Sequence, residues 1–180
     1  HEKAREYISS LSKGFSNKFY PVLSGNDTVD TLIKMKYPLL KEYKIDLKFT
    51  GNVDFLNDME PIDICTIFAN LLDNAIEACQ KVQEDRYIQM EVKHGKYFHM
   101  ICLKNPVSSE KKTALFQTEK KEKMLHGHGI GNIRRTLSGY GGNLSYKWEG
   151  NTVVTQVMFY NQTIHPSENN RLSSVPLFSS

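Results

Sequence analysis

Long hydrophobic runs are missing from these 180 residues: no apolar stretch approaches the roughly 20 positions that a membrane-spanning helix needs. The start of the chain also lacks the charged-then-apolar pattern of a secretory leader. Both absences bear on this stretch alone, because a chain that begins without Met is expected to be a piece of a longer protein. Cysteine is scarce. Cys65, Cys79 and Cys102 are odd in number, widely spaced and set among apolar residues. That pattern speaks for buried free thiols in a reducing compartment, since a zinc site needs closer pairs. An excess of one charge is missing too: the formal net charge is +3, and the lysines are scattered, which gives nucleic-acid binding little support. Internal repeats are absent. What remains, 39% hydrophobic and 24% charged, fits one globular domain with short appendages and a core that needs no disulfide or metal staple.

Along the chain, HEKAREYISSLSKGF sets Ala4, Tyr7, Ile8 and Leu11 on one face of a short helix that needs a partner surface. A second helix follows an N-cap at Asp27 or Thr28, with Pro38 an irregularity near its end. IDLKFTG, 45–51, alternates as a strand does, and Pro61 opens a helix running to about Val82. RYIQMEVKHGKYFHMICLKN reads as a hairpin around His94-Gly95. The lysine-rich stretch 108–127 reads as a long loop. GNIRRTLSGYGG gives a helix from about Asn132 to Gly139 or Gly141, and NLSYKWEGNTVVTQVMFY a hairpin turned at Glu149-Gly150-Asn151. This order implies an α+β fold: a two-layer α/β sandwich with helices on one face of a mixed, mostly antiparallel sheet.

The informative helix contains NLLDNAIEAC, Asn70 to Cys79. At about 100° per residue, Asp63, Thr66, Asn70, Asn74, Glu77 and Lys81 fall within roughly 40° of one line. Ile64, Phe68, Leu71, Leu72, Ala75, Ile76, Cys79 and Val82 fill the wide opposite arc, so the helix is mostly buried. A polar seam can simply face water, but such seams usually carry Lys, Glu and Arg, and Asn is a mediocre helix former. An amide offers a carbonyl oxygen to Mg²⁺ and an NH₂ to a phosphate oxygen. Further on, HGHGIGNIRR places Gly127, Gly129 and Gly131 ahead of a helix. There the backbone can approach phosphates and free N–H groups face an anion. Glycines alone could equally make a hinge.

Together these segments resemble the ATP-binding domain shared by gyrase, heat-shock chaperones, sensor histidine kinases and mismatch-repair ATPases, the GHKL superfamily. NLLDNAIEA is similar to its asparagine box, and HGHGIGNI to its pattern His-Gly-x-Gly-Leu-x-Asn-Ile. The order of asparagine box, hairpin, lid, glycine box, helix and hairpin is the family's. The resemblance implies ATP and Mg²⁺ as ligands, with Asn74 as the Mg²⁺ ligand and Asn70 against phosphate. Hydrolytic members have a glutamate where this chain has Asn70. An amide cannot act as a general base at neutral pH, which points to the kinase branch. Many kinases have a lysine where Glu77 stands, so Lys120, Lys121 or Lys123 of the lid would supply that charge, with Lys121 the candidate. Asn105, at the end of ICLKN, takes the place of the aspartate that reads adenine.

An asparagine there, the DNAIEA wording and the HGxG ending look like the accessory-gene-regulator-type peptide-pheromone receptor kinases of quorum sensing. The resemblance implies three segments: 1–24 as the end of a dimerisation helix with its linker, 25–160 as the catalytic and ATP-binding domain, and 161–180 as a polar tail. It also implies a homodimeric parent, a response-regulator partner, and a cytoplasmic domain tied to a bacterial cell membrane only through N-terminal segments outside this chain. His1 does not head a helix of the acceptor type, so the phosphoacceptor histidine is expected elsewhere. The alternative is a non-catalytic GHKL-like module that regulates a protein partner by binding.

Overall fold

The computed structural model describes residues 22–108 and 128–160. The expected first helix, the lid with Lys120, Lys121 and Lys123, Gly127, and the tail 161–180 lie outside them. Helix α1 spans Asp27–Glu42, and its N-cap is Asn26 rather than Asp27 or Thr28. Asn26 has the extended backbone a cap requires, and its side chain accepts the Val29 N–H at 3.1 Å. Asp27 and Asp30 then fall in the first turn, where carboxylates favour the positive end of the helix dipole. Pro38 does not interrupt α1. Val29, Leu32, Ile33 and Leu40 bury its inner face, and this packing holds the helix through the lost backbone bond.

Strand β1 (Asp46–Thr50) leads through a 3-10 turn at Asp54–Leu56 to helix α2, Pro61–Gln80. The strands β2 (Tyr87–His94) and β3 (Phe98–Pro106) form the first hairpin, and helix α3 (His128–Gly139) precedes the second, β4 (Asn143–Glu149) and β5 (Thr152–Tyr160). The sheet order is β1-β2-β3-β5-β4, with β1 parallel to β2 and every other neighbour antiparallel. A parallel pair needs a crossover, and α2 provides it. The fold is the expected α+β arrangement.

Register assigns the sheet's two faces. Met90, Leu103, Thr155 and Tyr146 stand in one row on the inner face, and Asn105, Val153 and Trp148 in another. Ile64, Phe68, Leu71, Leu72, Ala75, Ile76 and Cys79 of α2 pack onto that face in the main core. These are the apolar-arc residues of the sequence pattern, each stabilising by about 1.5–3 kcal/mol when large and fully buried. The outer face carries Lys93–Glu91, Lys104–Glu149 and Lys147–Glu149 pairs, exposed enough to contribute little.

Helix α3 starts at His128, not Asn132, so Gly129 and Gly131 form its first turn. Its end is a Schellman motif: the Gly142 N–H donates to the Leu137 carbonyl at 2.8 Å and the Gly141 N–H to that of Ser138 at 3.3 Å. Gly141 takes φ +63°, the left-handed conformation that side chains resist.

At the far end of the first hairpin, His94 and His99 face each other in register, with Nδ1 atoms 2.9 Å apart. The His99 ring stacks on Phe55 at 4.2 Å. Burial, with the neighbouring His94 second, lowers the His99 pKa against an opposing pull from Asp54. The unfolded chain therefore takes up this proton at higher pH than the folded one. Stability is complete above the ordinary value of about 6.5 and falls as pH drops through it toward the folded pKa. The urea midpoint should decline between pH 7 and 5, and less steeply in a His99→Gln variant.

Candidate functional site

The apolar arc of α2 is committed to the sheet, which fixes where its seam points. Asn70 is half-buried and Asn74, one turn on, is exposed. The Asn70 Nδ2 donates to the Thr66 carbonyl at 2.6 Å, leaving one N–H and the carbonyl oxygen. Gly129 sits against that oxygen: a Cβ built there would lie 2.5 Å from Asn70 Oδ1. Any side chain at 129 would have to displace that amide. Gly131 instead faces open space. The seam and the glycine segment, far apart in sequence, are adjacent in space.

Past this contact, between the C-terminal half of α2 and the sheet, opens a cleft of about 240 Å³ whose lining includes Asn74, Asn105, Ile130, Tyr146, Trp148 and Thr155. This is below the ~300–1,000 Å³ of a site for a whole drug-sized ligand, and suits one flat ring system with its substituents outside. Asn105 is 2% exposed. Its Nδ2 donates to the Pro106 carbonyl at 3.0 Å, while Oδ1 has no partner among the described residues. Asn74 likewise has no hydrogen bond there. Burial pushes the Tyr146 phenol up to about 12 against a weaker opposing pull from Arg134, so this hydroxyl keeps its proton at physiological pH.

Glu77 also lines the cleft, and Lys81 lies 2.5 Å from it. A cation therefore sits at the C-cap of α2, paired with Glu77. Lys36 of α1 pairs with Asp73, the residue before Asn74, at 2.5 Å. The cleft's aromatic residues were legible in NLSYKWE, whose alternation sets Leu144, Tyr146 and Trp148 on one face, yet strand pattern alone does not say that this face lines a cavity.

A family model described as GHKL domain matches residues 59–160, which holds α2, both hairpins and α3. The chain belongs to the GHKL domain family. A search of curated proteins finds no match by sequence. Solved structures share the GHKL fold. The catalytic domain of the histidine kinase ThkA is 20% identical with a TM-score of 0.55, over 75% of this chain and 92% of that one. ThkA bound to the response regulator TrrA aligns at 16% and 0.54, over 93% of this chain and 49% of that one. The Acinetobacter baumannii histidine kinase AdeS is 14% identical at a TM-score of 0.53, covering 88% and 75%. ShkA, full-length in complex with AMPPNP, is 12% identical at 0.54, covering 78% and 30%.

The residues present fit what a GHKL domain holds. Among the described residues no cluster of three His, Cys, Asp or Glu could bind a metal by itself. A single amide oxygen, Asn74 Oδ1, suits Mg²⁺ when phosphate oxygens and water complete the shell. The Gly129 cradle suits a close anion, and the orphaned Asn105 oxygen suits a hydrogen-bond donor on the ring. One strut holds the GHKL elements together: the Tyr140 hydroxyl, just past α3, donates to Asp63 Oδ2 on the first turn of α2 at 2.5 Å. Burial, then this hydrogen bond, raises the Tyr140 pKa to about 12. Tyr140→Phe should lower stability by about 1–2 kcal/mol in urea unfolding, since the bond to an ionised partner is lost but Asp63 can rehydrate.

Proposed function

We propose that this chain is the ATP-binding catalytic domain of a sensor histidine kinase, passing the γ-phosphoryl group to a histidine outside it. The observation that carries the reading is the Gly129 backbone set against Asn70, beside a cleft that Asn74 and Asn105 both line. The base would enter the cleft over Trp148 and Tyr146, and the phosphates would run along the seam toward the start of α3. There the free N–H groups and dipole of that helix stabilise negative charge. Asn74 would hold Mg²⁺, which when bound neutralises phosphoryl oxygens. Asn70 would contact phosphate through its remaining N–H. Asn70 has no basic atom to activate water, so these residues position and neutralise rather than hydrolyse. Gly127, Gly131 and Lys121 belong to the same proposed site, with residues 108–127 as its lid.

The finer reading is a receptor of the accessory-gene-regulator type, dimeric, acting on a response regulator in quorum sensing from the cytoplasmic side of a membrane. Residues 1–24 would end its dimerisation helix, 25–160 form the catalytic domain and 161–180 a tail. The DNAIEA and HGHG wording and Asn105 support it. ThkA and AdeS, of the same fold, are histidine kinases, and ThkA is solved with a response regulator. The uncharged Asn105 and the carboxylate of Glu77 at the cleft favour a second reading, a module that binds a partner without catalysis. Calorimetry with ADP and Mg²⁺ separates them. Saturable binding, followed by labelled phosphate on a histidine once the upstream dimerisation helix is supplied, supports the kinase. No binding at millimolar nucleotide supports the module.

A further inference from the structure

His94 and His99 belong neither to the cleft nor to the main core, and the first hairpin brings them together through its own register. The Gly95 N–H donates to the Phe98 carbonyl at 2.7 Å, which makes 95 and 98 a hydrogen-bonded pair. The next pair, His94 and His99, is therefore of the non-bonded kind, in which the strands approach most closely and side chains meet. Both residues alternate with the buried Val92 and Ile101, so both rings stand on the inner face, past the end of the core. Phe55 covers them there. Its ring stacks on His99 at 4.2 Å, with 11° between the planes, and meets His94 edge-on at 5.8 Å. Phe159 backs Phe55 at 5.6 Å. The pair is thus held by two strands and an aromatic cover, while His94 stays exposed to solutes.

The two Nδ1 atoms lie 2.9 Å apart, so each ring offers a nitrogen to the same small space. Such a pair can share a hydrogen, and it can also act as a bidentate ligand. At a metal–nitrogen distance of about 2.0–2.1 Å, two ligands at right angles are roughly 2.9 Å apart, and two at the tetrahedral angle roughly 3.3 Å. The observed spacing is that of the right angle. Tetragonal sites with nitrogen donors suit Cu²⁺ and Ni²⁺.

We infer that His94 and His99 form a two-imidazole site for a tetragonal divalent transition metal, Ni²⁺ or Cu²⁺, with water at the remaining positions. The shared hydrogen gives way without net loss of a proton, because the ring that donates through Nδ1 carries its hydrogen on Nε2 instead. Asp54, next to Phe55 in the chain, favours positive charge at His99. The neighbouring cations are engaged elsewhere: Lys93 pairs with Glu91 at 3.4 Å, and Lys96 lies over the Tyr97 ring. Among the described residues no third His, Cys, Asp or Glu completes the set, so the site is open and the ion exchangeable. A bound ion would tie β2 to β3 and, through the Phe55 stack, the turn ahead of α2. His99 and Asn105 stand at opposite ends of β3, roughly 20 Å apart at ~3.3 Å per residue, so the site is independent of the proposed nucleotide cleft.

The test is calorimetric titration of the full, untagged chain with NiCl₂, for the wild type, His94→Gln, His99→Gln and His126→Gln. The wild type should bind Ni²⁺, and His94→Gln and His99→Gln should each lose one equivalent or hold it at least about 10-fold more weakly. His126→Gln should keep that equivalent. Unchanged Ni²⁺ binding in both hairpin variants overturns the inference, since the metal then sits on other histidines of the chain. Absence of wild-type binding at millimolar Ni²⁺ also overturns it. Should a hairpin variant fail to fold, substoichiometric Cu²⁺ added to the wild type decides by NMR. Paramagnetic broadening of the amides of 93–99 supports the site, and broadening confined to other residues overturns it.

Discussion

Asn74→Ala is expected to abolish saturable ADP·Mg²⁺ binding, weakening it by about 100-fold or more, while leaving the urea midpoint almost unchanged. The two halves of this prediction have separate causes. Asn74 is exposed and bonded to nothing among the described residues, so truncation removes no protein contact, and surface changes of that kind stay within about 0.5 kcal/mol. Its oxygen is, however, the one side-chain ligand assigned to the metal. The proposal has the phosphates held largely through that ion, and no group of three His, Cys, Asp or Glu among the described residues could bind it in place of Asn74. Titration with and without Mg²⁺ checks it. The wild type should lose most of its affinity when Mg²⁺ is withheld, and Asn74→Ala should behave alike in both conditions. An alanine variant that binds ADP·Mg²⁺ as the wild type does would remove Asn74 from the site.

Gly129→Ala is the second large effect, and it sets local propensity against tertiary contact. Alanine in place of glycine favours a helix by about 1 kcal/mol. Against this, the new methyl group would lie 2.5 Å from Asn70 Oδ1, closer than real contacts allow. Asn70 cannot yield freely, because its Nδ2 is tied to the Thr66 carbonyl at 2.6 Å. Overpacking of this kind costs about 1–3 kcal/mol. The opposing effects leave global stability changed by roughly 1 kcal/mol. The local effect is larger. Either the first turn of α3 lifts away from α2, or the Asn70 amide swings out of line, and both disturb the proposed phosphate position. Nucleotide affinity should fall about 10- to 100-fold, as misplacement of about an ångström costs in a positioned site. A double-mutant cycle with Asn70→Ala isolates the contact. The pair should be less damaged than the sum of the singles, with a coupling of about 1–2 kcal/mol in binding. Strict additivity would show that Gly129 and Asn70 do not act together.

Much of this was legible in the chain itself, for identifiable reasons. A buried helix has a wide apolar arc, so the residues of α2 that enter the core could be named from spacing, and the seam was whatever remained. Alternation assigned the two hairpins. Local rules were less secure where several residues could do one job. Asn26, Asp27 and Thr28 are all good caps, and only the extended backbone of Asn26 selects among them. Glycines read as non-helical by propensity, which placed the start of α3 at Asn132. Gly129 and Gly131 are helical because Ile130, Ile133 and Leu137 anchor that turn in the core.

What the sequence determined by itself was the faces of the elements, their order and the GHKL motifs, because each depends on residues within a turn or a strand of one another. Tertiary structure alone decided that Gly129 touches Asn70, that Tyr140 braces Asp63, and that Asn105, Val153 and Trp148 share one row beside a cleft. Those contacts join distant segments. They arise from how α2, α3 and the sheet bury their apolar sides against one another, which no local spacing records.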